Sequence, residues 1–248
     1  MRAAGARGAL AKWTQKINLL LNGNHVDGAA NAVEQMIQQN VSVSPAFLSD
    51  VLKALAQRGD RDAAVSLFGK CEQQGTKPDV SCFSAVIWAH RKTSPPHPVG
   101  AYAFLQKMEV ARFSPTCGIY NQVIGAYCDA SQPMQGLEVL NRMQKRSVSF
   151  DIYSFGNIVR SYSSLDDTEN AKAVFARAEA ARLQPDRICY ESIIDAFSRM
   201  GDISNVRAWQ ERATQHHVCL GDEKELVEKS FEQKNVSAET QKCFCSSL

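Results

Sequence analysis

The stretch that decides the fold is Ile119-Tyr120-Asn121-Gln122-Val123-Ile124-Gly125-Ala126-Tyr127-Cys128, read together with the upstream segment Gly75-Thr76-Lys77-Pro78-Asp79. In the first stretch Tyr120 is followed three and four places later by two more apolar residues. That spacing places all three on one face of a helix. The second stretch is rich in residues that end helices and form turns. Both kinds of segment recur along the chain, which indicates a repeat protein.

The endings recur at a nearly constant interval. Segments related to Gly75–Asp79 end at residues 116, 151 and 186, so the steps from 79 are 37, 35 and 35 residues. Extending by 35 residues in both directions predicts six repeats, 10–44, 45–79, 80–116, 117–151, 152–186 and 187–221. A period of this length is typical of helical repeat arrays. We expect a basic N-terminal segment at 1–9, and a C-terminal capping helix with a flexible tail at 222–248.

The columns of the repeats support this register. The fourth residue of every repeat is large and apolar: Trp13, Leu48, Phe83, Tyr120, Phe155 and Tyr190. Apolar pairs follow three and four places later, as in Val86-Ile87 and Ile193-Ile194, and a second amphipathic stretch follows a turn. Each repeat is therefore predicted to be a helix-turn-helix. One hairpin cannot bury its own apolar stripe, whereas a stack of hairpins can.

The amino-acid composition and net charge limit the classes of function that the chain can have. The 248 residues are 44% hydrophobic and 22% charged, and the net charge of +2 argues against a strongly basic nucleic-acid binder. No run of apolar residues is long enough to cross a membrane. The first acid is Asp27, and the four cations before it are typical either of the end of an organellar presequence or of a solvated basic start.

No metal or cofactor is expected. The eight cysteines contain no CxxC pair, so neither a zinc ribbon nor a thioredoxin-type site is expected, and the thiols are expected to be reduced and mostly buried. The segment His216-His217-Val218-Cys219 has no second cysteine or histidine pair to complete a site. No deaminase motif, phosphate-binding loop or nucleophile–base pairing is present either, so we expect no enzymatic activity.

The repeat resembles that of the pentatricopeptide repeat family. An early aromatic followed by a small polar residue and a Pro-Asp ending carry the resemblance, which covers residues 10–221. The tetratricopeptide repeat is the rival, but its period is about 34 and its Trp-Leu-Gly-Tyr signature is missing here. The resemblance implies an all-α, right-handed α-solenoid of stacked helix-turn-helix repeats that binds single-stranded RNA, one base per repeat.

The family implies that the fifth and the last residue of a repeat select the base. Asn121 with Asp151 implies uridine, Ser49 with Asp79 implies guanine, and Gly156 with Asp186 implies guanine less clearly because glycine has no side chain. The remaining predicted base-reading pairs match no defined class, and they are Ser84 with Thr116 and Thr14 with Ser44. Glu191 of the last repeat would repel phosphate, so the binding surface is expected to end there.

The second residue of a repeat is expected to stack on bases. This column reads Ala11, Ala46, Ser81, Gly118, Tyr153 and Ile188. Only Tyr153 and Ile188 offer a large stacking area. The mixed column favours the alternative hypothesis, a protein–protein scaffold that binds a peptide or helix in the same groove.

Charge is distributed unevenly within the repeats. The first fourteen residues of the six repeats carry nine cations and four acids, a net charge of +5, and the remainder of the repeats carries −3. We therefore expect a basic layer of first helices and an acidic layer of second helices, an arrangement that attracts a phosphate backbone.

We expect the chain to act as a monomer that supports the processing, stability or translation of organellar RNA. The expected partners are RNA-processing proteins, and no membrane is expected to be involved. The expected location is the mitochondrion or chloroplast, otherwise the cytoplasm.

Overall fold

The structure, a computed structural model, describes residues 2–220, with side chains from residue 11 onward. Within this range the chain forms twelve helices and no strand. It divides into two compact units at the Ala130–Ser131 boundary. The predicted capping helix and tail at 222–248 lie outside the described residues.

Unit 1 contains seven helices. These are α1 (Arg2–Asn22), α2 (Val26–Gln38), α3 (Pro45–Arg58), α4 (Arg61–Gln73), α5 (Val80–Lys92), α6 (Pro98–Val110) and α7 (Cys117–Asp129). Unit 2 contains five in its described part. These are α8 (Pro133–Lys145), α9 (Ile152–Ser164), α10 (Thr168–Ala180), α11 (Arg187–Arg199) and α12 (Ile203–Gln215).

First and second helices alternate along the chain, as the repeat pattern predicts. Helices α3, α5, α7, α9 and α11 begin at residues 45, 80, 117, 152 and 187, where five of the six predicted repeats begin. The first repeat differs, because α1 begins at Arg2 rather than at residue 10. Its opening residues are rich in alanine and contain no proline, so nothing in them stops a helix from extending backwards. The all-α helical-repeat fold class is confirmed.

Left-handed residues mark the turns of the repeats with the same period. After the second helices they are Asn40, Gly75, Arg112, Ser147, Arg182 and His217, spaced by 35, 37, 35, 35 and 35 residues. After the first helices they are Asn24, Gly59, Ser131, Asp166 and Gly201. The two extra residues of the third repeat lie at 93–97, in the turn between α5 and α6.

The core of each unit consists of the predicted apolar columns. The fourth-position residues from Leu48 to Tyr190 are buried, and so are the apolar pairs that follow them. Met36, Met108 and Met143 are fully buried in the second helices. Helices α1, α3, α5, α9 and α11 therefore each pack against their own second helix, and every first helix packs against the first helix of a neighbouring repeat of the same unit. The apolar stripe of one hairpin is covered by the next.

Polar links join successive second helices near their C-terminal ends. In unit 1 Lys70 binds Glu34 at 2.7 Å, and Lys107 binds Glu72 at 2.5 Å. In unit 2 Arg177 donates to Gln144 at 2.7 Å, and Arg212 binds Glu179 at 2.7 Å. These partly exposed pairs are each worth about 0.2–1 kcal/mol, so they fix the register of the stack more than they stabilise it. No helix among residues 2–220 is both long and apolar enough to span a membrane.

Candidate nucleic-acid interface

One face of the first helices is open along both units. The second-position column is exposed in all six repeats: Ala11, Ala46, Ser81, Gly118, Tyr153 and Ile188. Residues three, four and seven places further on share this face of a helix. We call the second, fifth, sixth and ninth residues of the repeats the open stripe. Along each first helix, the fifth-position residue lies about one helical turn after the exposed second-position residue.

The stacking residues predicted in unit 2 project into solvent. Tyr153 is 65% exposed and Ile188 is 52% exposed, which is unusual for such large apolar side chains. They stand on the first turns of α9 and α11, two helices that pack together. A Cβ added at Gly156 would lie 3.4 Å from Cys189 Sγ. The two helices are therefore in contact at Gly156 and Cys189, close to the exposed Tyr153 and Ile188.

The fifth-position residues differ in accessibility. Thr14, Ser84, Asn121 and Gly156 are half-buried, whereas Ser49 is 3% exposed and its hydroxyl donates to the Ala46 carbonyl oxygen at 2.9 Å. Ser84 Oγ accepts from Gln122 Nε2 at 3.3 Å. Asn121 Nδ2 donates to Cys117 Sγ at 3.6 Å. The half-buried residues present polar or small groups at the floor of the open stripe, and Ser49 must rotate to do so.

The last residues of the repeats have a role that the sequence prediction missed. Ser44, Asp79, Thr116, Asp151 and Asp186 are the N-cap residues of α3, α5, α7, α9 and α11. All except Thr116 accept a hydrogen bond from the backbone amide three residues on, at 2.9–3.4 Å. Asp151 forms a capping box with Ser154. The signal was present, since Ser and Asp before an apolar-periodic run are typical N-caps.

Two buried cysteines connect the predicted readers within a unit. The amide of Cys189 donates to Asp186 at 3.1 Å, while its sulfur faces Gly156, so both predicted readers of the fifth repeat contact one residue. In unit 1 the amide of Cys82 donates to Asp79, and its sulfur donates to the Pro45 carbonyl oxygen at 3.3 Å. This bond brings Asp79 to the first turn of the helix that carries Ser49. Asn121 lies in unit 1 and Asp151 in unit 2.

Cys82 and Cys189 are buried packing residues of this face. Burial raises the pKa of the Cys82 and Cys189 thiols to about 12, so both stay neutral at physiological pH. Cys82, Cys128 and Cys189 are buried, in agreement with the expectation that most of the thiols are buried. Residues 2–220 contain no group of three or more His, Cys, Asp or Glu side chains placed to hold a metal ion.

Acids hold many of the cations counted on the first helices. Ion pairs hold Lys53, Arg58, Arg91, Arg187 and Arg199. Arg91 binds Asp129 at 2.8 Å, and Arg199 binds Asp166 at 2.8 Å. The layer of first helices is therefore less basic than the count of charges suggests.

The open stripe contains two further cations that the sequence prediction did not select. Lys53 and Arg160 are exposed and stand four residues after the fifth-position residues Ser49 and Gly156. A spacing of four places each of them one helical turn away from the predicted reader, on the same face. That spacing is the signal that could have identified them.

The chain is similar in sequence to known helical-repeat proteins. A profile of the pentatricopeptide repeat domain matches residues 31–91 and 138–200, and a profile of the single PPR repeat matches residues 118–148. Pentatricopeptide repeat-containing protein At5g25630 of Arabidopsis thaliana is 25% identical over 201 residues, which are 80% of this chain and 34% of the relative. The chloroplastic Arabidopsis protein At3g22150 is 22% identical over 78% of this chain and 23% of the relative.

Solved structures share the fold at low identity. The pentatricopeptide repeat protein PPR10 in complex with an 18-nt psaJ RNA element has a TM-score of 0.72 at 18% identity, over 98% of this chain and 35% of that one. The PPR domain of Arabidopsis thaliana protein-only RNase P 1 in complex with tRNA has a TM-score of 0.64 at 14% identity. It is matched over 76% of this chain and 100% of that one.

The chain spans about a third of the length of At5g25630 and of PPR10. The period of 35 residues, the alternating first and second helices and the open stripe agree with both profiles, which together match the chain from residue 31 to residue 200 with one gap. The chain is a member of the pentatricopeptide repeat family.

Proposed function

We propose that the chain binds single-stranded RNA along the open stripe of its first helices. The observation that carries this is the regular order of groups there: an exposed second residue, a small or polar fifth residue, and a last residue at the start of the next helix. Polar groups of this kind can bond the edge of an unstacked base, and an exposed apolar side chain can stack on its face. The RNA complexes of PPR10 and of protein-only RNase P 1 support the proposal.

The proposed readers keep the order that the six repeats 10–44, 45–79, 80–116, 117–151, 152–186 and 187–221 give them. Ser49 and Asp79 select guanine, and Asn121 and Asp151 select uridine. Gly156 with Asp186, Ser84 with Thr116, and Thr14 with Ser44 hold bases with less discrimination. An aspartate at the last position has two oxygens. Capping uses one of them, so the second can accept from a base.

The proposed role is to bind a transcript of the mitochondrion or chloroplast and so to affect its processing, stability or translation. Relatives named as chloroplastic support the location. We propose that this chain binds RNA as a monomer, without cleaving it, and works with RNA-processing proteins. Some proteins of similar fold are named as ribonucleases, such as the nuclear proteinaceous RNase P 2 of Arabidopsis thaliana.

The test is selection of bound sequences from random single-stranded RNA by the full chain, followed by fluorescence anisotropy with the enriched RNA. We expect an enriched short motif and an affinity that falls steeply with salt, because phosphate neutralisation releases counterions. Tyr153→Ala combined with Ile188→Ala should weaken binding of all sequences about 10-fold or more, since stacking is tolerant of sequence.

Matched controls come from exposed apolar residues on second helices. Met134 is 66% exposed at the start of α8, and Val110 is 82% exposed at the end of α6. Their replacement by alanine should leave RNA affinity unchanged. Equal losses in both pairs of variants would contradict a specific role for the open stripe.

A protein scaffold is the second candidate function. Small second-position residues in four repeats and the ion-paired cations of the first helices favour it. Failure to retain any RNA at low salt would reject the RNA proposal in favour of this one.

A further inference from the structure

The third repeat carries a tryptophan at the ninth position of the open stripe. Trp88 is half-buried on α5, one helical turn after Ser84 and one turn before Arg91. Among the open-stripe residues from Ala11 to Gly125, it is the one aromatic side chain. Unit 1 therefore presents a large flat group on this face, at a position different from that of Tyr153 in unit 2.

Both neighbours of Trp88 on this face of α5 contact α7. Ser84 Oγ accepts from Gln122 Nε2 at 3.3 Å. One and a half turns further along, Arg91 Nε donates to Asp129 Oδ2 at 2.8 Å. Because the two contacts bracket Trp88, it lies beside the stretch of α7 between Gln122 and Asp129.

Gly125 stands in the middle of that stretch and makes room for Arg91. A Cβ added at Gly125 would collide with the guanidinium, whose Cζ and Nη1 are the nearest atoms. The guanidinium therefore lies directly against the backbone of α7, where the bond to Asp129 fixes it. The side chain of Arg91 is 27% exposed, so part of this fixed group reaches solvent beside Trp88.

An indole ring and a guanidinium share one property that matters for nucleic acids, since both are planar. Unstacked RNA bases stack on aromatic rings and on arginine guanidinium planes. Such stacking tolerates every base because each base has a π-face. The second-position residues of the two helices, Ser81 and Gly118, are small and exposed, so their side chains do not compete for a base at this place.

We propose that Trp88 and Arg91 form a stacking platform of unit 1, on which one base of a bound RNA lies whatever its identity. This inference rests on the proposed binding of single-stranded RNA. It moves the stacking group of unit 1 from the second position, where the residues are small, to the ninth position. Gly125 and Asp129 are positioning residues, because they hold the guanidinium against α7.

Tryptophan fluorescence of the full chain tests the platform without any variant. The chain is titrated at low salt with a ten-nucleotide oligouridylate and with a ten-nucleotide oligoadenylate. A base stacked on the indole should quench the emission with both RNAs. Trp209 is 7% exposed, and Trp13 occupies the fourth-position packing column, so the quenching is expected to come from Trp88.

Trp88→Phe separates stacking from packing. Phenylalanine keeps an aromatic ring, so affinity measured by fluorescence anisotropy should stay within about 3-fold, while the quenching disappears. Trp13→Phe is the matched control and should keep the quenching. Trp88→Ala removes the ring and should weaken binding of both RNAs about 10-fold.

Gly125→Ala tests the placement of Arg91. The new methyl group should push the guanidinium off α7 and weaken binding of both RNAs several-fold. Alanine is a better helix former than glycine, so the chain should stay folded, which circular dichroism checks. Gly69→Ala is the matched control, because Gly69 lies in α4 and nothing is within 4 Å of an added Cβ there. It should leave RNA affinity unchanged.

The outcomes separate the two proposals. RNA binding without quenching, or quenching that persists in Trp88→Phe, would overturn the platform and leave the proposed function intact. Absence of binding to every RNA at low salt would overturn both.

Discussion

The carboxylate of Asp79 accepts a hydrogen bond from the backbone amide of Cys82 at 2.9 Å and so caps α5. The residue proposed to select a base thus also stabilises the helix that follows it. Asp79→Ala removes the cap and should lower the free energy of unfolding by about 1 kcal/mol, whereas Asp79→Asn keeps a good cap and should change it little. Urea denaturation followed by circular dichroism measures the difference.

Both Asp79 variants should reduce the preference for guanosine, because both remove the carboxylate. Thr116→Ala is the control for stability, since Thr116 stands at the N-cap of α7 without a side-chain capping bond. A loss of stability in Thr116→Ala equal to that in Asp79→Ala would show that capping is not the cause.

Gly156→Ser is expected to gain both stability and selectivity. The new Cβ would lie 3.4 Å from Cys189 Sγ, an ordinary contact, and serine costs less than glycine inside a helix by up to about 0.5 kcal/mol. The hydroxyl would stand with Asp186 as Ser49 stands with Asp79. We expect guanosine to be favoured several-fold more strongly by this variant, as measured by anisotropy.

Gly69→Ser provides the comparison for this variant. Gly69 is in α4, a second helix, and nothing lies within 4 Å of an added Cβ there. It should raise stability by a similar amount and leave RNA selectivity as it was. Identical RNA binding by the Gly156→Ser variant and the unaltered chain would count against the fifth-position reader.

The left-handed turn residues give a prediction about stability alone. Arg182 has a φ of 58° after α10, whereas Gly75 has a φ of 84° at the matching place after α4. Arg182→Gly removes the steric cost of a Cβ in this conformation and should stabilise the chain by up to about 1 kcal/mol. Gly75→Ala should destabilise it by about 1 kcal/mol, because no neighbour lies within 4 Å and only φ opposes the new Cβ.

Chemical denaturation of the two variants beside Arg182→Ala checks this account. Arg182→Ala keeps a Cβ at a positive φ, so its stability should match that of the parent within about 0.5 kcal/mol. If Arg182→Ala were stabilised as much as Arg182→Gly, the effect would come from removing the charge rather than from relieving the backbone.

The sequence predicted the helix starts of five repeats because each start follows a repeat ending that recurs at a nearly constant interval and begins an apolar-periodic run. The turn at 93–97 contains Pro95 and Pro96, and prolines cannot continue a helix. The start of α1 at Arg2 differs from the predicted start at residue 10, because an alanine-rich sequence without a stop signal contains no boundary that could be detected. Periodicity specifies the face of a helix and not its full length.

The sequence predicted which repeat positions form the candidate site, but it did not predict the burial and hydrogen bonds of every residue there. The second-position residues are exposed as expected, but Ser49 is buried and turned back to Ala46. The pairing of Glu191 with Arg187 follows an i, i+4 spacing that the sequence shows, yet spacing alone does not establish that the bond forms. Ion pairs between repeats, such as Arg91 with Asp129, depend on the stacking register and had no local signal.

His90 should make the stability of the chain depend on pH. It is 5% exposed, and neither ring nitrogen has a hydrogen-bond partner among the described residues. A Cβ at Gly100 would fall 2.3 Å from its ring, and the rings of His97 and Phe104 lie 5.3 and 5.5 Å away. Burial lowers the pKa of His90 to about 4, aided by His97 and Arg61 and opposed by Asp62.

The direction of the pH effect follows from this depressed pKa. An unfolded histidine takes up its proton near pH 6.5, whereas folded His90 resists protonation until about pH 4. Stability is therefore fully present above pH 6.5 and declines as the pH falls towards 4, by up to about 3 kcal/mol. His90→Leu should flatten this dependence, while His25→Gln, at an exposed position, should not. Urea midpoints measured from pH 7.5 to pH 4.5 test this, and an unchanged slope in His90→Leu would assign the acid sensitivity to other groups.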